Sequence, residues 1–135
     1  FSEGTLLSCG RGTSFPFQVI GSPLLPDRGF SFTPMSVKAA LNPRFKGQVC
    51  YGLDMRNALE TSEVPKNFLD LTWLVKVYSE YPDKDNFFTS YFDTLAGGSE
   101  LRKQIIAGLS AEQIRKSWQP GIKKFKKERE KYLLY

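Results

Sequence analysis

The chain has 135 residues, 41% of them hydrophobic and 14% aromatic, with a net charge of +5 and no histidine. That is enough apolar material for the core of one domain and excludes a disordered chain. Without histidine, neither Ser-His-Asp nor Cys-His machinery can be assembled, nor a zinc site built on imidazole.

The first thirteen residues, FSEGTLLSCGRGT, are the densest in chemistry. They hold one carboxylate (Glu3), one guanidinium (Arg11), four hydroxyls and three glycines. Glycine permits positive φ and close backbone approach, and Glu and Arg are groups that grip polar ligands. The chain starts at Phe1 inside this motif, so a mature product, a fragment or an excised domain is expected. The apolar runs fall far short of the roughly 20 residues of a membrane span. Cys9 and Cys50 are too few and too far apart in sequence for a structural metal cluster, and read as two buried thiols or, in an exported protein, a disulfide. Cys9 lacks a histidine or metal to activate it as a nucleophile.

Strands and loops are expected over the glycine- and proline-rich first half. Short apolar runs over 17–20, 30–32 and 48–55 are each bounded by turn formers. In the last, Val49, Tyr51, Leu53 and Met55 alternate with Cys50, Gly52, Asp54 and Arg56, so one face should be buried. Phe15 and Phe17 fit core packing better than a sugar platform, because Phe17 begins an apolar run.

The second half carries helical periods. Asn67 can cap a helix through about Glu80, with Phe68, Leu71, Leu74, Val75 and Tyr78 on one side, widened by Trp73 and Val77. A short helix is expected over 87–95, broken by Gly97-Gly98. Ser99 can cap the next, bearing Leu101, Ile105 and Leu109, with Gly108 near its end. Ser110 and Gln113 then form a capping-box pattern before Ile114 and Trp118. Pro120-Gly121 should interrupt or kink the path, with a last helix carrying Ile122, Phe125 and Arg129 along one side, its apolar positions expected in the core. The tail concentrates the positive charge, but Lys124 with Glu128 and Lys126 with Glu130 are i,i+4 pairs of a solvated helix face. No nucleic-acid partner is expected, since the basic residues are not interleaved with a series of aromatics.

The run E-G-T-x-x-S-x-G-R-G-T (Glu3 to Thr13), followed by F-P-F-Q-V-I-G-S-P (Phe15 to Pro23), resembles the signature of the exo-β-N-acetylmuramidases, the NamZ-like peptidoglycan glycosidases. F-T-P at 32–34, K-G-Q-x-C-x-G at 46–52, F-D-x-L-x-G at 92–97, Trp118 and the closing F-K-K-E-R-E-K-Y-L-L-Y agree in order. One departure is Leu6, where family members usually carry Asn.

The resemblance implies an α+β fold, a small and mostly antiparallel sheet in the first half packed by several helices in the second. It implies that residues 1–135 are the C-terminal domain of a two-domain protein whose Rossmann-like N-terminal domain supplies most of the catalytic apparatus. Substrate would lie between the domains, and a terminal N-acetylmuramic acid would be removed from peptidoglycan fragments in a periplasmic or secreted setting. No cofactor or metal is implied.

Glycoside hydrolysis normally takes two carboxyl groups about 5 to 9.5 Å apart. Only Glu3 is a persuasive cleft carboxylate here, because Asp27 sits in a turn and Asp54 beside Arg56. No catalytic residue is therefore assigned, Glu3 being the single candidate. The substrate-binding candidates are Glu3, Thr5, Ser8, Arg11 and Thr13. Arg11 could read the lactyl carboxylate that distinguishes muramic acid from glucosamine, or simply pair with Glu3; Thr5 and Ser8 could equally close local turns. Alternative functions are a non-catalytic carbohydrate-binding or protein-interaction module, or a basic binder of anionic polymers.

Overall fold

The computed structural model describes residues 2–56 and 69–133. After a one-turn 3₁₀ segment, Ser2–Gly4, the strands are β1 (Val19–Ser22), β2 (Ser31–Phe32) and β3 (Cys50–Asp54). The helices are α1 (Thr72–Glu80), α2 (Tyr91–Ala96), α3 (Glu100–Ile106) and α4 (Ala111–Arg129), with a last 3₁₀ turn at Glu130–Tyr132. This is the expected α+β arrangement. The sheet order is β1-β3-β2, and both pairings are antiparallel, with Ile20 opposite Leu53 and Phe32 opposite Cys50.

The alternation in β3 buries residues on both faces rather than one. Cys50 joins Val19 and Phe32 in a small cluster that half-buried Phe15, Phe30 and Phe45 flank. Tyr51, Leu53 and Met55 pack partly against the larger cluster under the helices. Val49 remains exposed. The larger cluster is the principal core, built from Leu74, Val77 and Tyr78 of α1, Phe87, Phe92, Leu101, Ile105 and Ile114, with Leu7 and Ile20 from the first half.

Several boundaries move for tertiary reasons. Asn67 and Phe68 lie outside the described residues, and the described helix starts at Thr72, whose amide donates to Asp70 Oδ1 at 2.8 Å. The stretch before Tyr91 is not helical. Leu6 N–H donates to Phe87 O at 2.8 Å and Thr89 N–H to Gly4 O at 2.9 Å, so the opening segment takes backbone groups that a helix would otherwise use. Ser99 stands at the start of α3 without a side-chain cap bond. The capping box of Ser110 and Gln113 forms in both directions, at 3.2 and 2.8 Å.

Pro120 does not end the helix: α4 runs through it. Its missing N–H leaves the Lys116 carbonyl without the usual partner, but both residues are exposed and water can satisfy that oxygen. All residues from 119 to 133 are exposed, so Ile122 and Phe125 (61% exposed) lie outside the core that their period suggested. Amphipathic spacing needs a partner surface before it becomes burial. Lys124 and Glu128 do approach, at 3.8 Å.

Candidate functional site

The opening segment is stitched to both halves of the molecule. Thr5 forms an isolated bridge with Phe88, and Ser8 one with Gly21 at the β1 edge; Ser8 and Gly21 exchange hydrogen bonds of 2.7 and 3.0 Å. Its chain then turns sharply at Gly10 and Gly12, with φ of +74° and +85°, values that L side chains rarely adopt. A Cβ on Gly12 would stand 2.4 Å from Met35 O, so the 34–43 loop can approach only a glycine there.

The hydroxyls of this segment divide by what they touch. Thr5 is fully buried, its Oγ1 donating to Ser2 O at 2.7 Å, while Arg44 donates to its carbonyl. Ser8 is buried as well and accepts from Gly10 N–H at 3.3 Å. These two hydroxyls close local turns. Thr13 Oγ1 donates to Gly10 O at 2.7 Å and accepts from Phe15 N–H at 3.2 Å, yet Thr13 is only half-buried and faces a cavity. Leu6 packs partly against the main core.

Glu3 and Arg11 meet at the surface. Arg11 Nη2 donates to Glu3 Oε1 at 2.9 Å, and the two side chains are 52% and 53% exposed. Such a solvated pair is worth about 0–1 kcal/mol, so exchanging Glu3 for a ligand carboxylate costs little. The guanidinium also lies 5.1 Å from the Phe17 ring centroid. Gly12 and Thr13 join Arg11, Pro16, Phe17, Val37, Ala39 and Ala40 in lining a 240 Å³ cavity. Val37 and Ala40 belong to a tight turn held by their paired bonds of 3.1 and 2.9 Å.

Phe17 corrects the core expectation. It is 62% exposed and has φ of +64°, while Phe15 is half-buried against the small cluster. Phe15-Pro16-Phe17-Gln18 closes as a turn through Gln18 N–H to Phe15 O at 3.2 Å. Proline at the second place was the sequence signal available for that turn.

A second cavity, of 460 Å³, opens beside Tyr78, Lys84, Phe88, Asp93 and Arg102. Its cations are already engaged. Lys84 Nζ donates to the Tyr78 and Ser79 carbonyls at 2.6 and 2.8 Å, and Arg102 forms a fork with Asp93 at 2.8 and 2.7 Å. Those bonds hold the Asp93 carboxyl below the usual carboxylate range. The larger cavity therefore offers a carboxylate less than the Arg11 cavity does.

The other ionisable candidates have structural partners. Asp27 accepts from Gly29 N–H at 2.8 Å inside its turn. Asp54 binds Arg56 at 2.6 Å, whose hydrogen bonds lower its pKa. Cys9 and Cys50 are buried free thiols, and burial pushes the Cys50 thiol up to about 12. Among the described residues there is no group of three or more Cys, Asp or Glu able to hold a metal ion, and no helix is long and apolar enough to cross a membrane.

The sequence profile of the family described as exo-β-N-acetylmuramidase NamZ, C-terminal, matches residues 1–135. The chain is 32% identical over 149 aligned positions to the peptidoglycan β-N-acetylmuramidase NamZ of Bacillus subtilis, covering 98% of this chain and 35% of that protein. The crystal structure of a DUF1343 family protein from Bacteroides fragilis superposes with a TM-score of 0.84 at 34% identity, over 99% of this chain and 38% of the other. The chain thus spans a little over a third of the length of each relative.

Proposed function

The chain belongs to the family of NamZ exo-β-N-acetylmuramidase C-terminal domains, and from that premise we propose that it forms one wall of a site for terminal N-acetylmuramic acid in a peptidoglycan glycosidase. The observation that carries this reading is the Arg11 cavity. An exposed guanidinium, held by two positive-φ glycines, is loosely paired with Glu3 and borders a recess. A guanidinium grips a carboxylate through two parallel hydrogen bonds, and the lactyl carboxylate is what muramic acid adds to glucosamine.

The recess supports half a site. Its 240 Å³ is below the roughly 300–1,000 Å³ of a complete small-molecule site. An N-terminal domain of the same protein would close the cleft and supply the catalytic pair or its greater part; the B. subtilis relative is nearly three times as long as the stretch matched here. Glu3, Arg11 and Thr13 then meet the sugar, and Thr5 and Ser8 fix the loop from behind. Glu3 accepts from sugar hydroxyls once Arg11 turns to the substrate. The isolated domain is inactive in this reading, and the protein works on muramic-acid-terminated fragments in the periplasm or outside the cell.

The test joins this chain to its N-terminal domain and follows sugar release from a chromogenic muramic-acid substrate. Arg11→Lys keeps the charge but loses the fork, and is expected to lower kcat/KM about tenfold or more. Unchanged kinetics remove Arg11 from the substrate site. Loss of cell-wall binding alone, with turnover intact, supports a non-catalytic carbohydrate-binding module instead.

A further inference from the structure

Phe17 combines three properties that a stability role does not explain. It is a bulky residue at φ +64°, it is 62% exposed, and its ring lies beneath the Arg11 guanidinium, 5.1 Å from Cζ to the centroid. In the Phe15–Gln18 turn, Pro16 occupies the second place and Phe17 the third. Positive φ at that third place normally selects glycine or asparagine, and an aromatic side chain there is a strained choice. The strained backbone is held by Phe17 N–H to Cys9 O at 2.7 Å and Gln18 N–H to Phe15 O at 3.2 Å.

The strain has a geometric result. It sets Phe17 in the lining of the cavity that Arg11 borders, together with Val37, Ala39 and Ala40. The recess therefore combines apolar lining side chains with one guanidinium. That combination suits a short substituent carrying both a methyl group and a carboxylate: the methyl leaves water among the apolar lining residues while the carboxylate takes Arg11. A hydroxyl in the same place gains neither contact.

We propose that Phe17 is a specificity residue, kept in a strained turn so that its ring orients Arg11 and walls an apolar slot for the lactyl substituent of muramic acid. This rests on the reading of the Arg11 cavity as a muramic-acid site. It deepens that reading by assigning the discrimination between muramic acid and glucosamine to a residue outside the polar motif.

The experiment measures both stability and selectivity. The chain joined to its N-terminal domain is titrated with N-acetylmuramic acid and with N-acetylglucosamine, followed by amide chemical shifts, and thermal unfolding is recorded for each variant. Phe17→Gly fits the positive φ, so its Tm is expected to equal or exceed that of the parent. Its preference for N-acetylmuramic acid is expected to fall about tenfold or more, the scale of losing an aromatic anchor. Phe17→Trp should retain that preference. Two results overturn the proposal in distinguishable ways. If Phe17→Gly keeps the parent's preference, or loses it only together with a fall in Tm, the specificity role fails while the muramic-acid site stands. If the parent two-domain protein shows no preference between the two sugars, the site reading falls with it.

Discussion

Two aromatic regions of this domain use the same side chain in opposite ways. Phe87 and Phe92 are wholly buried, in a network where Tyr78 and Tyr81 meet Phe87 edge-on at 5.2 and 5.1 Å and half-buried Phe88 lies 4.5 Å from Phe92. Phe17 stands in water on a strained turn. The first arrangement gains from apolar area and ring geometry together. The second gives up both, so its location beside Arg11 has to be understood through what the surface does. Stability lies under the helices, and the exposed chemistry lies on the glycine loop stitched to them.

The largest effect that sharpens this contrast is expected at Phe92. Phe92→Ala should destabilise the domain by about 3–5 kcal/mol in denaturant unfolding; a loss no greater than that of Phe17→Ala would break the comparison. Next comes Gly12→Ala. Its φ of +85° and the 2.4 Å approach to Met35 O predict a loss of about 1–3 kcal/mol, accompanied by amide shift changes across the 34–43 loop. If the variant is as stable as the parent, the loop is not held by that contact.

The smallest change is expected at the Arg102–Asp93 fork. Arg102 lowers the Asp93 pKa in the folded state, so the fork's contribution is present above the ordinary carboxylate range. It is lost as pH falls through the depressed folded value. Asp93→Asn should therefore lower Tm slightly at neutral pH and match the parent in strong acid. A difference that persists or grows on acidification would show that the fork stabilises by some route other than charge.

The organisation was largely legible in the residues. Turn formers around short apolar runs marked the three strands, and the Ser110–Gln113 pattern marked the start of α4, because these signals are satisfied within a few residues of chain. In the site, the conjunction of Glu3 and Arg11 was also visible, since both lie in one short motif whose glycines allow it to fold back on itself.

What the sequence by itself determined was the class of fold, the family and the loop that concentrates polar chemistry. Only the tertiary structure decided which side chains that loop presents. The 87–90 stretch lost its helix because the opening segment pairs with its backbone. The period of Ile122 and Phe125 produced no burial because that part of α4 lies exposed. Phe17 left the core because a turn beginning at Phe15 and held to Cys9 set its φ. In each case local propensity was outweighed by hydrogen bonds or surfaces supplied from distant parts of the chain or absent from it. Pattern and spacing cannot supply those, because they are properties of the assembled backbone.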